Sequence, residues 1–303
     1  MKKLSKILTV VFAFTLLLTV CFAGCSDEKP AESNYNQVAT LNDKTTAEIY
    51  SDIMDTIDAY GKNFTTNVNY DIPCKVSMSY SGQSQSFNMT LKMYDTFKMA
   101  GDNFYEYIYV DAGEMMDMPL GDMHNEVWFV DNTAYMDVRG ELAPRVMKAK
   151  YNATLEAIAY HAEMDLDELM NPVYDFSQSD FEDVVFHINK KDASDVYFEI
   201  VMDGAKAQAF AQKVVAKNLG SNTQMQFSKI NYKFVIDETG ALDHIDVNFP
   251  VKTTMNQSGY NYTYNYTYKG TITFTDIGTT VVTAPADIDS FNYLGELKMP
   301  DEI

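Results

Sequence analysis

The sequence predicts an α+β fold organised around one large antiparallel sheet. Three observations predict it. Two segments far apart in the chain, Val68 to Tyr80 and Tyr260 to Phe274, alternate apolar and polar residues well beyond ordinary strand length. Short turns such as Ser81-Gly82, Asp131-Asn132 and Asp237-Glu238-Thr239-Gly240 join neighbouring strand candidates, which favours hairpins over crossovers. Stretches of helical period interrupt the strands at three places, and each carries an apolar stripe that needs a surface to bury against.

The first residues, MKKLSKILTVVFAFTLLLTVCFAGCS, set Lys2, Lys3 and Lys6 before an apolar run from Ile7 to Val20. That run is short for a membrane span and has the layout of a secretory signal. Small residues follow it in Phe22-Ala23-Gly24-Cys25, which resembles a bacterial lipobox with Phe22 in the place usually held by leucine. The resemblance implies that residues 1–24 are a lipoprotein signal peptide and that Cys25 carries the acyl (palmitate-type) anchor. Residues 25–40 are polar and aperiodic and read as a flexible tether. Residues 41–303 then form a single domain, because no Pro/Gly/Ser linker and no internal repeat divides them. Cleavage removes three lysines and no acid, so 20 basic residues face 43 acidic ones and the formal charge becomes −23. Such a surface repels nucleic acid and anionic headgroups, leaving the acyl chain as the expected membrane contact. Cys21 leaves with the signal, and if Cys25 is acylated as the resemblance implies, Cys74 is alone and no disulfide framework is expected.

Ile49, Ile53, Ile57 and Tyr60 recur at helical spacing and predict a helix from about Thr45 to Tyr60, ended by Gly61. In the next segment Val68, Tyr70, Ile72, Cys74, Val76, Met78 and Tyr80 occupy one face of a strand. Pro73 lies on the other face and predicts a sheet edge or a bulge, since proline cannot donate to a ladder. Phe87, Met89, Leu91, Met93, Phe97 and Met99 form the return strand, with Asp95 breaking its apolar face. Further strands are expected at Asn103 to Val110, Glu126 to Val130 and Ala134 to Arg139, with a loop over residues 113–126. Pro144 opens a predicted helix to about Met170 in which Val146, Tyr151, Leu155, Ile158 and Met164 point inward. Strands are expected at Phe181 to Asn189 and Asp195 to Met202, and a helix from Asp203 to Leu219. Gln224 to Ile236, Leu242 to Val251, Asn256 to Thr275 and a short piece at Thr280 to Thr283 complete the strands.

Within the last long strand, GYNYTYNYTYKG places Tyr260, Tyr262, Tyr264, Tyr266 and Tyr268 on one face and Asn261, Thr263, Asn265 and Thr267 on the other. Gly270, Ile272 and Phe274 continue the tyrosine face, so the strand extends to about 50 Å at ~3.3 Å per residue. Long twisted strands with one continuous apolar face curl around something hydrophobic: the amphipathic helices, or helices and a ligand.

The order of elements resembles the LolA/LppX-like bacterial lipoproteins: lipobox, tether, amphipathic helix, long hairpins. Glu126-Val127-Trp128-Phe129-Val130-Asp131-Asn132-Thr133-Ala134-Tyr135 is similar to their aromatic hairpin. Phe234 to Leu242, with its acidic-Gly turn, and Phe274-Thr275-Asp276-Ile277-Gly278 followed by Pro285 are similar to their later units. The Pro144 to Met170 helix and the tyrosine ladder depart from that pattern. The resemblance implies a curved half-barrel with helices packed on its concave side, and a role in binding, carrying or sensing a hydrophobic, lipid-like ligand. The ligand-facing candidates are Val68, Tyr70, Ile72, Val76, Met78 and Tyr80 on the first strand and Met89 and Leu91 on the second, with the five ladder tyrosines opposite. Methionine and tyrosine supply an adaptable dry wall; the plainer alternative is that they pack the sheet on its own helices. A different class of function is a cell-surface interaction module that uses exposed tyrosines to bind a protein or glycan.

Other constellations carry less. Met115, Met116, Met118, Met123 and His124 are soft ligands suited to Cu(I) but have no defined spacing, so no metal is expected. His161, Glu163, Asp165 and Asp167 read as a solvated helix end, and His187 and His244 have no partners in sequence. No nucleophile elbow, phosphate loop or paired cysteines occur, so neither catalysis nor a cofactor is expected.

Overall fold

The computed structural model describes residues 55, 57, 59–115, 118–143, 145–162, 183–188, 196–202, 205, 208, 223–236, 242–257 and 260–299. The signal peptide, Cys25, the tether and most of the first predicted helix lie outside the described residues. Its end is visible as helical backbone at Asp55, Ile57 and Ala59, with Ile57 buried.

The strands in chain order are β1 Asn63–Tyr80, β2 Gln83–Ala100, β3 Asn103–Asp111, β4 Glu114–Met115, β5 Met118–Pro119, β6 Asp122–Val130, β7 Thr133–Arg139 and β8 Met147–Asn152. After the helix α1, Leu155–Ala162, come β9 Asp183–Ile188, β10 Val196–Met202, β11 Thr223–Phe227, β12 Ile230–Ile236, β13 Leu242–Gln257, β14 Tyr260–Thr275 and β15 Asn292–Glu296. Thirteen strands form one sheet in the order β15-β8-β7-β6-β3-β2-β1-β14-β13-β12-β10-β9, with β11 also on β13. Among the described residues the molecule is therefore nearly all strand in a large open sheet, with α1 as the one helix seen end to end. This overturns the expected α+β half-barrel with helices packed on the sheet. Within the Pro144 to Met170 segment the described helix is Leu155–Ala162, and the helix expected from Asp203 to Leu219 lies outside the described residues except for helical backbone at Ala205 and Gln208.

Every strand pair is antiparallel except β15 with β8, which is parallel, so not every neighbour is a hairpin. β1 and β14 meet at the middle of the sheet, with Cys74 opposite Tyr266, Val76 opposite Tyr264 and Met78 opposite Tyr262. Opposed residues in an antiparallel pair lie on one face. The two long alternating segments therefore share their dry side, as their common parity predicts. Gly270 is required in that contact. A Cβ there would lie 2.3 Å from the Asn69 carbonyl oxygen and 2.4 Å from the Tyr70 ring, which lies across the glycine.

Several local expectations fail for identifiable reasons. Pro73 marks no edge: β1 is central, and Pro73 stands opposite Thr90 of β2. Toward β14 the pairing lapses at Ile72 and Pro73 and resumes in the same register, so the missing N–H interrupts the ladder without a bulge. Residues 147–152 are strand rather than the start of a long helix. Met147, Ala149 and Tyr151 are buried and alternate with Lys148, Lys150 and Asn152, while Val146 is exposed. The helical spacing of Leu155 and Ile158 belongs only to α1, whose Thr154 Oγ1 accepts from the Ala157 N–H. The single strand expected over 224–236 is divided at Ser228 and Lys229, and both halves pair with β13. The loop expected over 113–126 holds the small β4–β5 hairpin and the start of β6. Thr280 to Thr283 form no strand. Instead the Thr280 N–H donates to Asn63 Oδ1 at 2.8 Å and its hydroxyl meets that of Thr65 at 3.1 Å, clamping the closing segment onto β1.

One cluster of buried apolar side chains gathers residues from β1, β2, β3, β6, β7 and β8. Phe64, Phe97, Met99, Phe104, Val127, Phe129, Met136 and Val138 come from adjacent strands, and Ile158 and Ala159 of α1 close over them. Phe97, Phe104 and Phe129 stack across β2, β3 and β6 at 6.1 and 5.7 Å.

Candidate functional site

Registers from β13 to β8 join the dry sides of the individual strands into one continuous face. Its buried residues are apolar except for Thr66 on β1 and a group of three polar residues on neighbouring strands. On β2, Asp95 stands opposite Val68 of β1 and Ile108 of β3. On β3, Glu106 stands opposite Phe97 and Val127. On β6, Asn125 stands opposite Ile108 and Val138. Glu106 is thus the diagonal neighbour of both Asp95 and Asn125, within about 7–8 Å, a distance that long side chains span.

These three groups are 1%, 3% and 0% exposed respectively. Neither carboxylate oxygen of Asp95 has a hydrogen-bond partner, and neither do the amide nitrogen and oxygen of Asn125. Burial pushes the Asp95 carboxyl up to about 7, and Glu106 rises well above the usual carboxylate range through burial and the Asp95 charge. Buried polar groups with unmet hydrogen-bonding capacity, here Asp95 and Asn125, cost folding free energy, on the order of 1–3 kcal/mol for each unmet group. Such groups concentrate where a protein binds or transforms something.

The sequence-predicted residues lie on the same face and grade from core to open. Val68, Tyr70, Ile72 and Val76 are buried, as is Tyr268. Tyr260, Tyr262, Tyr264, Tyr266, Met78, Met89 and Leu91 are half-buried, and Tyr80 is 49% exposed at the strand end. Phe87 and Met255 join this half-open end. The ladder rings partly cover one another: Tyr80 and Tyr260 stack at 4.4 Å, and Tyr262 and Tyr264 at 6.4 Å. Tyr268 has the core role, with Phe249 at 4.6 Å and Tyr70 at 5.8 Å. Burial pushes Tyr266 up to about 12, and its hydroxyl lies 2.9 Å from that of Thr253. Cys74 is a buried free thiol whose ionisation burial makes harder, consistent with a small apolar packing group.

The opposite face is polar but carries its own aromatic row, which sequence reading did not single out. Tyr94 and Tyr109 stack at 5.9 Å, Tyr109 meets His124 at 4.7 Å, and the Tyr107 hydroxyl bonds His124 Nδ1 at 2.9 Å. Tyr105 and Trp128 follow at 5.3 Å, near an Arg139–Glu126 ion pair. His124 and Met123 thus lie on opposite faces of β6, which separates the soft ligands grouped in sequence. Among the described residues no group of three or more His, Cys, Asp or Glu could hold a metal. His161 bonds the Lys298 carbonyl oxygen and His244 pairs with Asp243, both local surface contacts.

Asp95 was visible in sequence only as a break in a pattern. Glu106 was hidden because Asn103 to Asp111 has aromatic residues on both faces. The tight turn at Gly101-Asp102 was the available signal. It pairs Ala100 with Asn103 and so places Asp95 and Glu106 on one face.

No family model matches the chain, and no curated protein matches it. Among solved structures it is similar to a DUF1329 family protein from Desulfovibrio piger at 9% identity, covering 71% of this chain and 88% of that one, with a TM-score of 0.21. An outer membrane lipoprotein-sorting protein domain from Vibrio parahaemolyticus gives 12% identity, 72% and 88% coverage and a TM-score of 0.20. The attachment invasion locus protein Ail of Yersinia pestis gives 6%, 69%, 99% and 0.19. Likeness at this level carries no statement about what this chain binds.

Proposed function

We propose that the protein is a membrane-anchored extracytoplasmic lipoprotein that binds a hydrophobic, lipid-like ligand on the dry face of its sheet and carries or senses it without catalysis. The observation that carries this reading is the half-open end of that face. Phe87, Met89 and Leu91 of β2, Met255 of β13 and Tyr262 and Tyr264 of β14 are apolar or aromatic, share one face, and are only partly covered. Contiguous apolar surface of this kind marks a place where something docks. Nile red added to the full chain is expected to show saturable enhancement with an apparent Kd in the micromolar range, on the order of −8 kcal/mol. No saturable signal would remove the ligand reading.

Anchoring rests on the signal pattern ahead of Cys25. Intact-mass measurement of the membrane fraction is expected to show acylation that Cys25→Ser abolishes. An unmodified wild-type chain beginning at Ser26 or beyond would contradict it.

The interaction-module alternative draws less support from the ladder, whose tyrosines share the apolar face and are partly covered while Asn261 and Asn265 are exposed. The aromatic row Tyr94–Tyr109–His124 on the polar face is the observation that keeps a second reading alive, as a surface for a protein or glycan.

A further inference from the structure

We propose that Asp95, Glu106 and Asn125 form a head-group site for the primary ammonium of an amphiphile whose alkyl tail lies along the dry face toward Leu91, Met89 and Phe87. The inference rests on the ligand-binding reading above and specifies the chemistry of the ligand's polar end.

Three residues from three neighbouring strands converge on one patch of a mainly apolar face. All are at least nine-tenths buried, and the amide of Asn125 and the carboxylate of Asp95 have no partner. The patch offers carboxyl oxygens and the Asn125 amide oxygen as acceptors, with the Asn125 amide nitrogen as a donor beside them. An ammonium is the complementary group, with three donors and no acceptor. A fatty carboxylate would bring a third acid beside two, and a fatty alcohol has one donor to give. On the same face of β2, buried Met93 stands between Asp95 and half-buried Leu91, where the open end begins. Along β2, Leu91 is four residues from Asp95 and Phe87 eight, so a tail could extend about 13 to 26 Å at ~3.3 Å per residue. The formal charge of −20 also draws cations rather than anions toward the protein.

Occupation has a proton consequence. The buried pair retains protons at neutral pH when empty, because burial disfavours its charged form. An entering ammonium stabilises carboxylate, so a proton leaves the pair for water as the cation binds. Affinity for the amine is therefore expected to rise as pH increases from 6 to 8, roughly tenfold per unit at most for one proton released.

Displacement of Nile red from the full chain by dodecylammonium, dodecanol and dodecanoate tests the proposal. Wild type is expected to prefer dodecylammonium over dodecanol by about tenfold or more, equivalent to about 1.4 kcal/mol. Asp95→Asn/Glu106→Gln is expected to retain Nile red and lose that preference together with its pH dependence. Equal displacement by amine and alcohol in wild type, or a preference surviving in the double variant, would overturn the head-group site while leaving the hydrophobic reading intact. Failure of wild type to take up Nile red or dodecylammonium would overturn both.

Discussion

Asp95→Asn is expected to make the folded protein more stable at pH 8 and to leave it nearly unchanged at pH 4. In the native state the Asp95 carboxyl is held up to about 7 by burial, against about 3.9 for an ordinary aspartate. Between those values the folded state binds the proton and the unfolded state releases it. The unfolded chain then binds fewer protons, so stability falls as pH rises through this window. The loss begins near the unfolded value and is complete above the folded one. A shift of this size corresponds to about 4 kcal/mol, at 1.36 kcal/mol per unit. Asparagine has a similar shape and no proton to lose, so the variant's stability curve should lose about one proton of pH dependence. Glu106, raised in the same direction by burial and by Asp95, should leave a residual slope that Glu106→Gln removes. Chemical denaturation at pH 4, 6 and 8 measures it, with an unchanged m-value as the sign that the native state is intact. A variant less stable than wild type at pH 8 would mean that the carboxylate is satisfied and that the site is structural.

Tyr264→Asp is expected to weaken Nile red binding by about 10- to 100-fold, or about 1.4–2.8 kcal/mol. Tyr264 is half-buried between Val76 of β1 and Thr253 of β13, in the open part of the dry face. A carboxylate there must either be desolvated under the ligand or hold water where the apolar contact should form. Thr263→Asp is the matched control. Its position lies one residue away on the polar face, opposite Ser77 and Thr254, and binding should change less than about twofold. Both variants require a denaturation curve, because a charge on the dry face also lowers stability. The reverse outcome, damage by Thr263→Asp alone, would place the ligand on the polar face.

The parts of this fold legible in sequence are those where one face is dry and the other wet. β1 and β14 alternate so regularly that their shared face follows from parity alone. β8 was misread because Lys148 and Lys150 have weak strand preference, and the periodicity of Leu155 and Ile158 was extended backward over them. Tertiary pairing with β7 overrides that local preference. Asp95, Glu106 and Asn125 lie on three strands, and no single segment reveals them as a group. Asn125 was assigned to a loop, Glu106 lay among tyrosines, and Asp95 looked like an interruption. Only the register across β2, β3 and β6 brings them to one patch.

Photolabelling the full chain with a diazirine-bearing alkylamine, followed by peptide mapping, tests the central claim most directly. Adducts are predicted on the dry face, at Met89, Leu91, Met255 and Tyr264, and are expected to be suppressed by excess dodecylammonium. Adducts confined to Tyr94, Tyr107, Tyr109 and Trp128 would contradict the account, because they would place the ligand on the polar face of the sheet.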